Sequence, residues 1–216
     1  AGASFTYDEI LDTAGRLDDD DTDDGQAADI DGKTITISGA TDLTQLDTIR
    51  TRAGDGSVTH TEVTDTYDAL EARAASAIDD LNGMTVRATT GGTLAELATL
   101  KEQVENVIED GVVTDAAIGD GVATFTHDAV ADELTNIDTE RTVNGGANIN
   151  GKEITITDYV EIEDASNLRA ELELSHQNNS FTYQFVRDSA TALTSDDPNT
   201  DAGADDINGK TVITVS

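Results

Sequence analysis

The sequence predicts an α/β fold: a repeat array of about four strand–short helix–strand–helix units, elongated, with mainly parallel strands. Three observations predict it. A strand opening is written four times, as FTYDEI from Phe5, VTHTEV from Val58, FTHDAV from Phe125 and FTYQFV from Phe181. A second strand follows each one behind a small turn, as DGKTITIS, NGMTVRAT, NGKEITIT and NGKTVITVS. Stretches with helical spacing of apolar residues separate the strands, and such alternation favours parallel strands joined by crossovers.

Taken in order, each first strand runs into a short helix-like stretch ending in leucine. These are LDTAGRL, TDTYDAL, VADEL and RDSATAL, closing at Leu17, Leu70, Leu134 and Leu193. The turns that start the second strands are Asp31-Gly32, Asn82-Gly83, Asn150-Gly151 and Asn208-Gly209, pairs suited to positive-φ turn chemistry. Within those strands Ile35 and Ile37, Val86 and Ala88, and Ile154 and Ile156 face one way, while Thr34, Thr36, Thr85, Thr155 and Thr157 face the other. One sheet face should therefore be covered and the other wet, since a doubly covered parallel sheet reads as continuous apolar runs. Longer helices come next. Leu43, Leu46 and Ile49 form one stripe behind Thr41 as N-cap, and Leu94, Leu97, Leu100, Val104, Val107 and Ile108 form a second. Leu168, Leu172 and Leu174 form a third. The units span residues 1–52, 53–118 (with a long helix over 93–110), 119–175 and 176–216, the last without its final helix; the four read equally as one continuous domain.

Composition narrows the function classes. The 216 residues are 37% hydrophobic and 4% aromatic, so any core is thin. Twelve Lys and Arg against 45 Asp and Glu give a formal charge of −33, which repels nucleic-acid phosphates and anionic membranes alike. Such a surface suits a saline or divalent-rich medium that screens self-repulsion, including the medium of a hypersaline organism. There is no cysteine for disulfides or thiolate metal sites, and no apolar run long enough to span a membrane. The first residue is Ala1 and not Met, which suggests a processed chain or a piece of a longer one. The opening AGAS resembles the loops that join a long helix to the next strand, and Ser216 stops where a long helix is due. Neither end has a cap of its own, so a neighbouring copy or adjoining repeats are expected to cover both.

Across ITISGATDLTQLDTI and SVTHTEVTDTYDALEARAASAIDDLNGMTVRAT, the chain resembles the Thr/Asp/Ala-rich βα repeat units of giant adhesin-like and S-layer-like proteins, secreted or cell-surface, of aquatic bacteria. Those units share a Thr/Val-rich strand, a small helix with an xDTxxxL core, an Asn-Gly turn and a second helix. The resemblance covers nearly the whole chain through short, degenerate motifs, and departs from the pattern in the heavy Asp content and the long Leu94 to Ile108 helix. It implies extracellular scaffolding, adhesion or filament formation, with no catalytic residues to carry over.

Two acidic loops supply the candidate metal site. In DDTDDGQAADID, Asp20, Thr22 and Asp24 fall at positions 1, 3 and 5, with Gly25 at 6 and Asp31 at 12, close to the spacing that converges carboxylates on calcium. In DPNTDAGADDIN, Asp197, Asn199 and Asp201 take positions 1, 3 and 5 and Asp205 takes 9, with Asn208 in place of the bidentate acid. Solvated acidic loops are the plainer reading in a chain this acidic. Calcium (Ca2+) is the cofactor they would take, and its role would be to rigidify loops and neutralise charge.

Catalysis is not expected. His60 and His127 occupy the strand position of Tyr7 and Tyr183, and His176 lies in a polar loop. GDGVATF and NGGAN read as turns, no nucleophile elbow or zinc spacing occurs, and a glycosidase cleft would lack its aromatic platforms in a chain without Trp. The expected function is an extracellular structural protein, a subunit or segment of a surface filament, fibre or layer that assembles end to end. The alternative is an adhesin or phage-fibre module recognising surface glycans, to which the Thr-X-Thr strands at Thr34–Thr36 and Thr155–Thr157 would contribute. Expected partners are further copies or adjacent repeats of a larger chain, with no nucleic acid and no membrane insertion.

Overall fold

The computed structural model describes residues 8–19, 30–109, 112–115, 124–175, 180–189, 191, 193 and 210–215. The architecture is α/β with mostly parallel strands. In chain order the elements are β1 (Glu9–Asp12), α1 (Ala14–Asp19), β2 (Thr34–Ile37), β3 (Ala40–Thr41), α2 (Leu43–Ala53), β4 (Ser57–Thr59), β5 (Glu62–Asp65) and α3 (Tyr67–Ala77), which a short 3-10 turn (Ile78–Asp80) follows. Then come β6 (Thr85–Ala88), α4 (Leu94–Glu105), β7 (Asn106–Glu109), β8 (Val112–Asp115), β9 (Thr124–His127) and β10 (Ala129–Asp132). The chain ends with α5 (Leu134–Thr142), β11 (Glu153–Val160), α6 (Ile162–Ser175), β12 (Ser180–Ser189) and β13 (Thr211–Val215).

The chain divides into two compact units. The first holds residues 1–89 and 99–126, the second residues 90–98 and 127–216. In the first unit β1-β2-β4 form one sheet, and β3-β5-β6 continue into β9 as another. In the second, β10-β11-β12-β13 form a four-stranded sheet. The pairs β1–β2, β2–β4, β3–β5, β5–β6, β10–β11, β11–β12 and β12–β13 are parallel.

The expected alternation positions the core. In β2, Ile35 and Ile37 are buried while Thr34 and Thr36 are exposed, and β6 repeats this with Val86 and Ala88 inside. Register lines the inward residues into columns: Ile10, Ile35 and Val58 lie side by side, as do Val63 and Val86, and Val130, Ile154 and Phe181. The helices cover these columns with the stripes read from sequence: Leu43, Leu46 and Ile49 of α2, Leu97, Leu100 and Val104 of α4, and Leu168 and Leu172 of α6 are all buried.

The Asn-Gly turns have one build. Gly32, Gly83 and Gly151 hold φ of 69°, 75° and 71°, a region closed to most side chains. Before each lies a fully covered residue, Ile30, Leu81 or Ile149. The N–H of the residue after the glycine returns to that residue's carbonyl in each turn, at 3.1 Å for Lys33, 3.2 Å for Met84 and 3.2 Å for Lys152. An apolar anchor and a left-handed glycine thus set the angle at which each second strand enters its sheet. In NGGAN, Gly145 and Gly146 both have positive φ, so that stretch is a turn as read. GDGVATF, the strand opening from Phe5 through Tyr7, and His176 lie outside the described residues wholly or in part.

Three expectations change. Two of the helices after the first strands are not short stretches closing on leucine, although α1 with its six residues is short: α3 has 11 residues, as many as α2, and Leu134 opens α5 instead of closing a helix. The strand continues through VTD and VAD, and its terminal aspartate hands over to the helix. The N-cap of α2 is Asp42, which takes Gln45 N at 2.7 Å in a reciprocal capping box, while Thr41 ends β3. The helix expected over 93–110 stops at Glu105, and Asn106–Glu109 pairs antiparallel with Val112–Asp115. Val107 and Ile108 are β-branched, as are Val112, Val113 and Thr114, so the two runs suit strands as well as a helical stripe, and pairing between them prevails.

Candidate functional site

Aspartates at the ends of the first strands organise the helix starts. Asp65 Oδ1 accepts from Thr66 N at 2.7 Å, and its Oδ2 accepts from Leu43 N at 3.0 Å, the first helical N–H of α2 on the neighbouring strand. Asp132 does the same with Glu133 N at 2.8 Å and Leu94 N at 2.9 Å. Asp188 does so with Ser189 N at 2.6 Å and Ile162 N at 3.2 Å. Asp158 adds Leu134 N at 2.9 Å. Each carboxylate therefore satisfies an otherwise unpaired helix N–H and lies at the positive end of a helix dipole. Part of the acidic composition is spent on this internal task, which the xDTxxxL pattern carried without showing its cross-strand half.

The two histidines have matching roles. Nε2 of His60 donates to Asp80 O at 2.9 Å, and Nε2 of His127 donates to Asn148 O at 2.8 Å. A carbonyl only accepts, so in both rings the proton sits on Nε2. Asp80 and Asn148 hold the same place, two residues before Asn82-Gly83 and Asn150-Gly151. His60 and His127 are buried, as is Tyr183 at the equivalent position. The two imidazoles each tie a strand to the adjacent turn.

Around Asp80 the first unit builds a cluster of four charged side chains. Asp80 Oδ1 pairs with Arg50 at 2.7 Å and Oδ2 with Arg73 at 2.7 Å, and Arg73 reaches on to both carboxylate oxygens of Asp47. Burial raises the cost of charging Asp80, but the two guanidiniums, Arg50 above Arg73, outweigh it and hold the carboxyl below the usual aspartate range. Hydrogen bonding to Asp47 raises Arg73 above its ordinary value against the opposing effect of burial, and Asp80 adds to the rise. In the second unit Glu140 is buried with amides as partners: it accepts from Asn148 N at 3.1 Å, Asn148 Nδ2 at 3.0 Å and Asn144 Nδ2 at 2.8 Å. Both clusters are satisfied internally, which is the pattern of structural ionic groups more than of a poised acid or base.

Of the eight candidate calcium ligands, Asp31 alone lies among the described residues; Asp20, Thr22, Asp24, Asp197, Asn199, Asp201 and Asp205 lie outside them. Asp31 is exposed at the head of β2, and its Oδ1 lies 2.5 Å from where a side chain on Gly54 would begin.

Apolar side chains are exposed within the sheets at Leu11 of β1 (71%), at Tyr159 of β11 (46%) and on the last strand. β13 pairs with β12 on one side, with Val212 beside Val186, and no other described strand lies along it. Val186 is fully buried, yet Val212 is 41% and Ile213 39% exposed. Val212 could not have been singled out from the sequence, whereas Ile213 stands where the other second strands carry Thr36, Arg87 and Thr155. No helix among the described residues is long and apolar enough to cross a membrane. Comparison of the chain with protein-family models, with curated proteins and with solved structures found no match.

Proposed function

We propose that the chain is an extracellular structural protein, a subunit or segment of a surface filament, fibre or layer, whose strand–helix units form an elongated array assembling end to end. The observation that carries this reading is β13: a parallel strand with one edge along which no other described strand lies, and whose inward valine is 41% exposed, where the partner valine in β12 is completely covered. An apolar edge of this kind is a template for another strand. The −33 charge fits a medium rich in salt or divalent cations, where repulsion between copies is screened. Calcium taken up by the loops at Asp20–Asp31 and Asp197–Asp205 would serve that screening. No catalytic role is assigned to any residue.

Electron microscopy and sedimentation of the purified chain, at rising salt and then rising calcium at constant ionic strength, test the proposal. Filaments or ordered oligomers are expected, and a chain that stays monomeric throughout overturns it. A glycan-binding module is the second reading. Tyr159, 46% exposed and held against Phe185 at 5.3 Å between ring centroids, gives an exposed aromatic surface on β11, the strand that also carries the Thr155–Thr182 hydroxyl pair. Retention of the monomer on a glycan array, lost in Tyr159→Ala, would favour it.

A further inference from the structure

We infer that Asn150 is a site of self-modification: its carboxamide is open to attack by the backbone nitrogen of Gly151, which converts it through a cyclic imide to aspartate and isoaspartate. In the first step the Gly151 nitrogen bonds to Asn150 Cγ, and the bond from Cγ to the side-chain nitrogen breaks. The proton of the Gly151 N–H passes by way of solvent to the departing ammonia. Water then opens the five-membered imide. Breaking the new bond to Cγ leaves aspartate, whereas breaking the bond to the backbone carbonyl leaves isoaspartate, with the chain routed through Cγ and one atom longer. The reaction needs a glycine nitrogen that no acceptor holds and a carboxamide that solvent can reach.

Four turns of related sequence separate these requirements. At Asp31-Gly32, the Gly32 nitrogen is committed, donating to Ala53 O at 2.9 Å. At Asn82-Gly83, the Gly83 nitrogen meets no acceptor among the described residues, but Asn82 Oδ1 is buried without a donor. Attack would turn that oxygen into an oxyanion with nothing to stabilise it. At Asn144-Gly145, the carboxamide donates to Glu140 Oε2 at 2.8 Å, and its conversion would set a new carboxylate against a buried one. Asn150 and Gly151 are both exposed, and neither the Asn150 side chain nor the Gly151 nitrogen has a hydrogen-bond partner among the described residues. Bonds from Asn150 N to Gly146 O at 2.9 Å and from Lys152 N to Ile149 O at 3.2 Å hold the backbone on either side of the pair and leave the reacting atoms unoccupied. The two products differ in what they do to the fold. Asp31 stands at the same place before a glycine with φ of 69°, against 71° for Gly151, so aspartate suits this turn. Isoaspartate lengthens the backbone just before Glu153, where β11 enters between β10 and β12, and so acts on the register of Glu153 with Ala129 and with Ser180.

Incubation of the full folded chain in warm, mildly alkaline buffer, followed by peptide mapping with mass spectrometry, reads conversion at each asparagine. Labelling by an isoaspartate methyltransferase separates the two products, and a parallel sample in urea gives each rate without the fold. Asn150 should keep most of its unfolded rate, whereas Asn82 should be slowed about tenfold or more, the rate equivalent of one hydrogen bond denied to a developing charge. Asn150→Gln should remove the isoaspartate label at this turn. Asn150→Asp should unfold at the parent midpoint, while the purified isoaspartyl form should lose amide-exchange protection along β11. Protection of Asn150 equal to that of Asn82, or conversion of Asn82 first, would overturn the inference. A lowered midpoint for Asn150→Asp would overturn the assignment of aspartate as the product that keeps the turn.

Discussion

The turn at Asp80-Leu81-Asn82-Gly83 and the turn at Asn148-Ile149-Asn150-Gly151 have the same backbone, the same buried anchor and the same histidine contact, yet opposite electrostatics. In the first unit the buried acid is on the turn itself and two arginines neutralise it. In the second the turn residue is neutral, the buried acid is Glu140 on α5, and amide N–H groups satisfy it without a cation. The difference teaches that the anchor and the glycine define the turn, while the polar shell around it is interchangeable provided every buried group finds a partner.

Substitutions at matched positions probe this contrast. The largest effect is expected for Asp80→Ala, which takes the shared carboxylate from Arg50 and from Arg73, leaving Arg73 with Asp47 alone, and should cost about 4 kcal/mol by urea unfolding. Asn148→Ala removes one side-chain bond to Glu140 and should cost about 2 kcal/mol; equal losses at the two sites would erase the distinction. Leu81→Ala and Ile149→Ala both empty a fully covered anchor and should each lose about 3 kcal/mol. Here equality is the expected result, and a clear gap between the two would break the claim that the anchors are equivalent.

Acid should separate the turns too. Because the folded-state pKa of Asp80 is depressed, its contribution is fully present above the unfolded aspartate value, about 4, and is lost as pH falls through the folded value. Asp80→Asn should therefore flatten the fall of stability below about pH 4, as read from thermal midpoints across pH. An unchanged slope would show that the guanidinium pairing does not tune this group. The smallest effects belong to Gly83→Ala and Gly151→Ala, each expected to cost about 1 kcal/mol through the left-handed backbone alone.

Much of the fold is legible in the chain because its determinants are local. The Thr-Ile alternation of β2 and the leucine stripe of α2 depend only on side-chain periodicity, and the glycine turns depend on one residue's φ. Helix lengths were less legible. Leu70 and Leu134 look like helix ends, but Tyr67–Ala77 and Leu134–Thr142 run on because their strands end at an aspartate that starts the helix. Val107 and Ile108 fit a helical stripe and a strand equally, and pairing with Thr114 and Val113 decided for the strand.

By itself, the sequence determined where strands begin, which faces turn inward, where glycine is required and how strongly the surface repels polyanions; all of these follow from residue identity and short-range spacing. Only the tertiary structure decided that Asp65, Asp132 and Asp188 cap the helix of a neighbouring strand, that His60 and His127 hold a turn carbonyl, and that Asp80 shares two arginines. It also left Val212 uncovered where its counterparts are sealed. All of those contacts but the Arg73–Asp80 pair join residues twenty or more positions apart, and strand register, set by packing across the whole sheet, is what brings them within reach.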